Sequence, residues 1–283
     1  MRRGAETVGR KLDKMLSLAG MLPVNPREFF ARVAVLVEAR LAATARNGVN
    51  VAAVEFGEAV NWVERTFGFN AVACMNEPAL TALELEVARR LREVGPAAAI
   101  PLDYCADLWL ARCCYLLCRA RQAEVVIETG VGYGVTSAYL LQALEVNGGG
   151  RLLSIDLPPL GADVSKEVGL AVPERLRGRW RLEIGSSRSR LRAVAAQAGG
   201  VDMFVHDSLH TYRTVKWELE TIAPHLKPGA VVVCDDIEGH RAFEEWLSSS
   251  QISGGLRIRA GNKAGKTFGL SLLRGAPEGG NGV

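Results

Sequence analysis

The stretch from Glu124 to Ser137, EVVIETGVGYGVTS, constrains this chain more than any other. Val125, Val126 and Ile127 form a short β-branched run, the pattern of a strand buried on both faces. Glu128 ends the run, Gly130, Gly132 and Gly134 alternate through a turn, and a helical segment follows from Thr136 to Leu144. Strand, glycine turn and helix make half of a nucleotide-binding βαβ unit. Residues without a Cβ let the backbone take φ > 0 and let a ligand lie against it. The helix beyond presents free N–H groups and a positive dipole end.

The spacing is G-x-G-x-G, not the G-x-G-x-x-G of dinucleotide sites, which favours a ligand with an adenosine and no phosphates. Asp156 closes the next apolar run, Leu152 to Ile155, where a carboxylate can accept both hydroxyl protons of a ribose. A third strand is expected near Trp180–Ile184, and Ser186 follows it at a turn where an adenine edge can dock.

The 283 residues fit one large domain or a domain with an appendage. A net charge of +3 is far from the basic balance of a nucleic-acid-binding domain, and the arginines between Arg175 and Arg192 read as a solvated face. No apolar run approaches the ~20 residues of a membrane span, and the N-terminus lacks the apolar core of a secretory signal. The six cysteines have poor metal-ligand spacing and read as reduced core side chains of a cytoplasmic protein.

Residues 1–100 read as a helical N-terminal lid or oligomerisation region, the latter implying a dimer. Helices are expected over 26–46, 50–67 and from Asn76 to Val94, and a fourth over 102–121. The α/β part spans 101–274, and the Gly-rich tail, 275–283, is expected to be disordered.

The second informative stretch is 201–238, VDMFVHDSLHTYRTVKWELETIAPHLKPGAVVVCDDIE. Val201–Val205 and Ala230–Val233 read as parallel strands, separated by a helix over 211–226 and a Lys227-Pro228-Gly229 turn. Their ends bring Asp207, His210, Asp235 and Asp236 to one crevice. Three carboxylates together call for a cation, and hard oxygen ligands suit Mg²⁺, Mn²⁺ or Ca²⁺. His210 is a candidate general base and His240 a second, while His206 reads as structural. The strands 256–260 and 267–273 form a closing hairpin.

These residues resemble the class I S-adenosylmethionine-dependent methyltransferases over about 100–274. The E-T-G-x-G-x-G turn is similar to their first motif, Asp156 to their ribose-binding acid, and the hairpin to their last two strands. More narrowly, F-V-H-D-S-L-H-T-Y with L-K-P-G-A-V-V-V-C-D-D resembles the metal-dependent small-molecule O-methyltransferases of the catechol, caffeoyl-coenzyme A and macrolide-sugar types. The resemblance implies a Rossmann-like, doubly wound, mostly parallel seven-stranded sheet with an antiparallel last strand. It implies S-adenosyl-L-methionine held along Glu128, Thr129, Gly130, Gly132, Tyr133, Gly134, Thr136 and Ser137, with Asp156, Ser186 and Asp207. It implies a divalent cation, Mg²⁺ foremost, on Asp207, Asp235 and Asp236, with His210 and Asp207 catalytic. It implies a hydroxylated small molecule as acceptor. Metal-free or N-methyl transfer on the same fold, or a nicotinamide-dependent oxidoreductase, are the alternatives.

Overall fold

The computed structural model of the protein describes residues 16, 18–44, 52–96 and 98–275; the expected tail beyond 275 lies outside them. The helices α1 (Pro26–Thr44), α2 (Phe56–Phe67), α3 (Ala71–Met75) and α4 (Pro78–Leu91) come first. Then follow α5 (Leu108–Arg121), β1 (Val125–Thr129), α6 (Val135–Val146), β2 (Arg151–Asp156), β3 (Trp180–Ile184), α7 (Ser187–Ala198) and β4 (Val201–His206). The chain continues through α8 (Tyr212–Ile222), β5 (Leu226–Cys234), α9 (Ala242–Leu247), β6 (Ile252–Arg259) and β7 (Thr267–Leu273).

The strands form one seven-stranded sheet in the order β3-β2-β1-β4-β5-β7-β6. The pairs β1–β2, β1–β4, β2–β3 and β4–β5 are parallel, and β7 runs antiparallel to both β5 and β6. This is the doubly wound arrangement expected, with the last strand reversed. The strand order turns back between β1 and β4, the place where such sheets open a ligand crevice.

Because helices cover both faces, the central strands are apolar at consecutive positions rather than alternate ones. Val126, Val205, Val231 and Val233 pack with α5 and α6, while Ile127, Phe204 and Val232 pack with α7, α8 and α9. Helices α2 and α4 join the first of these cores through Ala59, Val63, Leu80, Leu83 and Val87. Two ion pairs fasten α4 to α5: Arg112 to Glu84 at 2.6 Å and Arg119 to Glu77 at 2.7 Å. All six cysteines are free, and burial pushes the Cys113 thiol up to about 12, as expected of inert core side chains.

Some boundaries move for local reasons. The helix expected from Asn76 to Val94 spans Pro78–Leu91 behind Glu77, because Asn76 is spent closing α3. Helix α5 starts at Leu108, where Asp107 accepts the N–H groups of Trp109 and Leu110. The Lys227-Pro228-Gly229 segment is part of β5, where Leu226 already pairs with Val201 and the register then shifts before Val231.

Candidate active site

The parallel strands β1, β2, β4 and β5 deliver Gly130, Asp156, Asp207 and Asp235 to the same edge of the sheet. The three turn glycines all have positive φ: 86°, 51° and 80°. Two of them do different jobs. A Cβ on Gly130 would stand 1.8 Å from the carbonyl oxygen of Asp207, so this glycine lets β1 and β4 leave the sheet side by side. A Cβ on Gly132 would meet nothing within 4 Å, so its backbone faces open space available to a ligand.

Behind the turn, Glu128 is fully buried and its Oε2 accepts bonds from Ser137 Oγ (2.6 Å) and Ser154 Oγ (2.7 Å). Oε1 has no partner, and burial raises the carboxyl to about 7. Tyr133 is also buried, and its hydroxyl donates to the Ile100 carbonyl at 2.6 Å. Thr129 points its hydroxyl to Glu218 at 2.6 Å, on the other side of the sheet. Among the residues expected to hold a cofactor, these three and Ser137 therefore spend their side chains on protein partners.

Asp156 is different. Its Oδ1 accepts the Val131 N–H at 3.1 Å, while Oδ2 is buried and has no partner. Burial raises this carboxyl to about 6. Thr136, in the first turn of α6, likewise has an unpartnered buried hydroxyl. An unsatisfied carboxylate oxygen beside an open glycine turn and a helix N-terminus fits a bound ribose hydroxyl. Ser186 precedes α7 at the neighbouring strand end, without a side-chain bond to the helix backbone, and donates to Ser189 Oγ at 3.1 Å.

The acidic end of the crevice is a three-residue cluster. Ligand atoms of Asp207, His210 and Asp235 lie within 4.8 Å of one another, and His210 Nε2 is 3.7 Å from Asp207 Oδ1. Burial, then the neighbouring Asp235, pushes the Asp207 carboxyl well above the usual range, and burial lifts Asp235 to about 6. Burial, then His206, holds the His210 imidazole down at about 3. It is therefore neutral near pH 7 and free to offer a lone pair. Two carboxylates and an imidazole at this spacing fit one divalent ion.

Asp236 does not join them. It sits at φ 50° and its Oδ2 accepts from Lys266 Nζ at 2.8 Å. His206 is fully buried with Nδ1 2.7 Å from Glu218 Oε2, the structural role expected of it. His240 is buried with neither ring nitrogen partnered. Sequence reasoning missed the lysines of the β6–β7 loop, Lys263 and Lys266. Their signal was present: two basic residues in a hairpin turn that must cross beside three carboxylates.

Residues 127–237, the span from β1 past the end of β5, match the family model of a methyltransferase domain. Over these residues the chain carries a methyltransferase domain. Solved structures of similar fold agree with the methyltransferase architecture. An O-methyltransferase from Bacillus cereus, in complex with SAH, is 17% identical with a TM-score of 0.54, over 69% of this chain and 91% of its own. An O-methyltransferase assigned in Klebsiella pneumoniae is 18% identical with a TM-score of 0.53, over 70% and 90%. A cofactor-bound protein from MTB is 18% identical with a TM-score of 0.52, over 70% and 91%. No curated protein matches the chain. The part of the chain outside the methyltransferase domain's match includes α1 to α5 and the β6–β7 hairpin. No helix among the described residues is long and apolar enough to cross a membrane.

Proposed function

We propose that this methyltransferase is an O-methyltransferase that transfers the methyl group of S-adenosyl-L-methionine to a hydroxyl of a small molecule, with a divalent ion at the acceptor. The observation that carries the reading is the pairing, on one strand edge, of an open glycine turn beside Asp156 with the Asp207–His210–Asp235 cluster.

The chain's own residues divide the work. Asp156 Oδ2 takes a ribose hydroxyl and Gly132 leaves room for the cofactor backbone. Asp207, Asp235 and the neutral imidazole of His210 would hold the ion, with Mg²⁺ and Mn²⁺ both suited to the donor set. Bound there, it would bind the acceptor oxygen and lower its pKa. The depressed His210 favours a ligand role over a general base. The sulfonium methyl is already activated, so alignment is the larger part of catalysis.

Helix α1 supports a lid over the cofactor end. Arg32 Nη1 donates to the Pro158 carbonyl at 2.8 Å, just beyond Asp156. Glu38 accepts from Thr211 and, at 2.8 Å, from Thr214 at the start of α8.

Calorimetry tests the reading. S-adenosylhomocysteine should bind the wild type, and Asp156→Ala should weaken it about 10- to 100-fold, the worth of a hydrogen bond to a charged group. Binding of NAD with no response to S-adenosylhomocysteine would overturn it.

A further inference from the structure

Helix α8 carries an acid in its apolar face. Val215, Leu219 and Ile222 are buried at the spacing of a stripe that packs on the sheet, and Glu218 stands fully buried among them. A carboxylate in such a place must find donors or weaken the fold.

Glu218 finds its donors at the ends of two strands. Its Oε2 accepts from Thr129 Oγ1 at 2.6 Å and from His206 Nδ1 at 2.7 Å, and its Oε1 accepts from Ser208 Oγ at 2.7 Å. A carboxylate only accepts, so Nδ1 is the nitrogen of His206 that carries the proton in this bond.

The places of these donors matter. Thr129 is the last residue of β1 and directly precedes Gly130. His206 and Ser208 stand on either side of Asp207. One carboxylate thus holds the strand end that opens the glycine turn and both neighbours of an acid in the acceptor cluster. The main chain links the same segments: the Asp207 N–H donates to the Thr129 carbonyl at 2.8 Å, and the Asp235 N–H to the His206 carbonyl at 2.9 Å. Gly130 lies against the Asp207 carbonyl with no room for a Cβ, so a shift of one segment is passed to the other. The His206 ring, oriented by its bond to Glu218, packs edge-to-face with His210, the ring centroids 5.5 Å apart at 89°.

We propose that Glu218 is a positioning residue for methyl transfer, one that sets the offset between the glycine turn and the Asp207–His210 segment. Fully buried, it acts through Thr129, His206 and Ser208 and does not meet a ligand itself. In-line transfer needs the methyl donor and the acceptor oxygen aligned closely, and a misplacement of ~1 Å costs about 100-fold in rate. The donor half is built on β1 and the acceptor half on β4, so a side chain bonded to both strand ends fixes one half against the other. This inference rests on the reading of the crevice as a methyltransferase site with an ion at Asp207.

The test uses the full chain, with S-adenosylhomocysteine followed by calorimetry and Mn²⁺ alone followed by electron paramagnetic resonance; urea melts establish that each variant is folded. Thr129→Val and Ser208→Ala remove one arm each. Thr129→Val should weaken S-adenosylhomocysteine about tenfold and leave Mn²⁺ within about threefold, and Ser208→Ala should do the reverse, since partners behind a ligand are worth 10- to 100-fold. Glu218→Leu should weaken both ligands about tenfold or more. Glu218→Gln, whose one oxygen can still accept from Thr129 and His206, should recover S-adenosylhomocysteine to within about threefold of wild type. The chain has only 4 histidines, so nitrogen-15 NMR can follow His206 alone, which should leave its Nδ1–H form in Glu218→Leu. Single-arm variants that weaken both ligands alike, or neither, overturn the proposal, and they decide it by themselves if Glu218→Leu does not fold. A folded Glu218→Leu that binds both ligands as wild type does also overturns it, as does a wild type that binds no Mn²⁺. A wild type that binds Mn²⁺ but not S-adenosylhomocysteine removes the methyltransferase reading, and Ser208→Ala against Mn²⁺ with the His206 signal still decides whether Glu218 sets the Asp207 segment.

Discussion

Lys266 Nζ lies 2.8 Å from Oδ2 of Asp236, and this ion pair divides two carboxylates that are adjacent in sequence. Asp235 turns into the crevice with Asp207 and His210, whereas Asp236, at φ 50°, turns to the β6–β7 loop. The two aspartates therefore have separable roles. Asp235→Asn should weaken Mn²⁺ binding roughly tenfold or more, and Asp236→Asn should leave it within about threefold, since ligand-shell changes cost 10- to 100-fold where they touch the metal site. Asparagine tolerates a positive φ, so the second variant keeps its backbone. Equilibrium dialysis with Mn²⁺ checks both.

The glycines of the turn should separate folding from binding. Gly130→Ala drives a Cβ into the Asp207 carbonyl at a position with φ 86°, and neither backbone can move without opening the β1–β4 pair. The variant should lose about 3 kcal/mol of stability or more and accumulate as insoluble protein. Gly132→Ala meets open space and carries only the cost of its φ, about 1 kcal/mol. It should fold and yet bind S-adenosylhomocysteine more weakly, because the new methyl occupies the ligand's side of the turn. Denaturant melts and calorimetry on the two proteins decide the matter.

How much of this was legible beforehand follows from sequence distance. The glycine turn, Asp156 and the acids after β4 and β5 are local patterns at strand ends, and their convergence follows from parallel pairing alone. The alternation of strands and helices points to a mostly parallel sheet, and the reversed last strand was what the resemblance to the class I methyltransferases implied. What could not be read are the contacts that join remote segments: Lys266 with Asp236, Asn262 with Leu108, and Glu38 with Thr211, 173 residues apart. No periodicity encodes such a pair. The sorting of Asp235 from Asp236 is one of these, because it depends on a lysine from a hairpin 30 residues further on. Glu128 was read as a ligand-side residue, and the two serines that occupy it, Ser137 and Ser154, become visible only when α6 and β2 are packed against β1.

That buried Glu128 makes a pH prediction. Burial raises its carboxyl from 4.5 to about 7 in the folded protein. Between these values the folded chain binds more protons than the unfolded one, so stability is greatest below the unfolded value and falls as pH rises through the folded one. The change from pH 4.5 to 8 is about 3 kcal/mol from this group. Asp156, raised from 3.8 to about 6, adds a fall of the same sign at slightly lower pH. Glu128→Gln removes the first contribution only. Urea melts of the cofactor-free protein at pH 5, 6, 7 and 8 should show a steeper loss in wild type than in Glu128→Gln. Parallel curves for the two proteins would mean that Glu128 is ionised throughout.

Helix α1 reaches both halves of the crevice. At one end Arg32, nearly buried, holds the Pro158 carbonyl and draws the Asp156 carboxyl down. At the other, Glu38 bridges Thr211 and Thr214 on α8 and lies 3.5 Å from Arg188 on α7. Thr211 also caps α8, accepting the Thr214 N–H at 3.1 Å, so the latch is built on a group the helix already fixes. If α1 closes over the cofactor, the latch must open for the cofactor to leave. Glu38→Ala removes acceptors for two hydroxyls and a guanidinium, each worth about 1 kcal/mol or somewhat more. It should speed release of S-adenosylhomocysteine by roughly tenfold or more, with a smaller change in the association rate, because mutations at an interface act mostly on dissociation. The same substitution should expose α1 to protease, and S-adenosylhomocysteine should restore protection in wild type but less so in the variant. Stopped-flow displacement and limited proteolysis read the two effects. Release at the wild-type rate, with α1 cut no faster, would leave α1 as a fixed part of the wall.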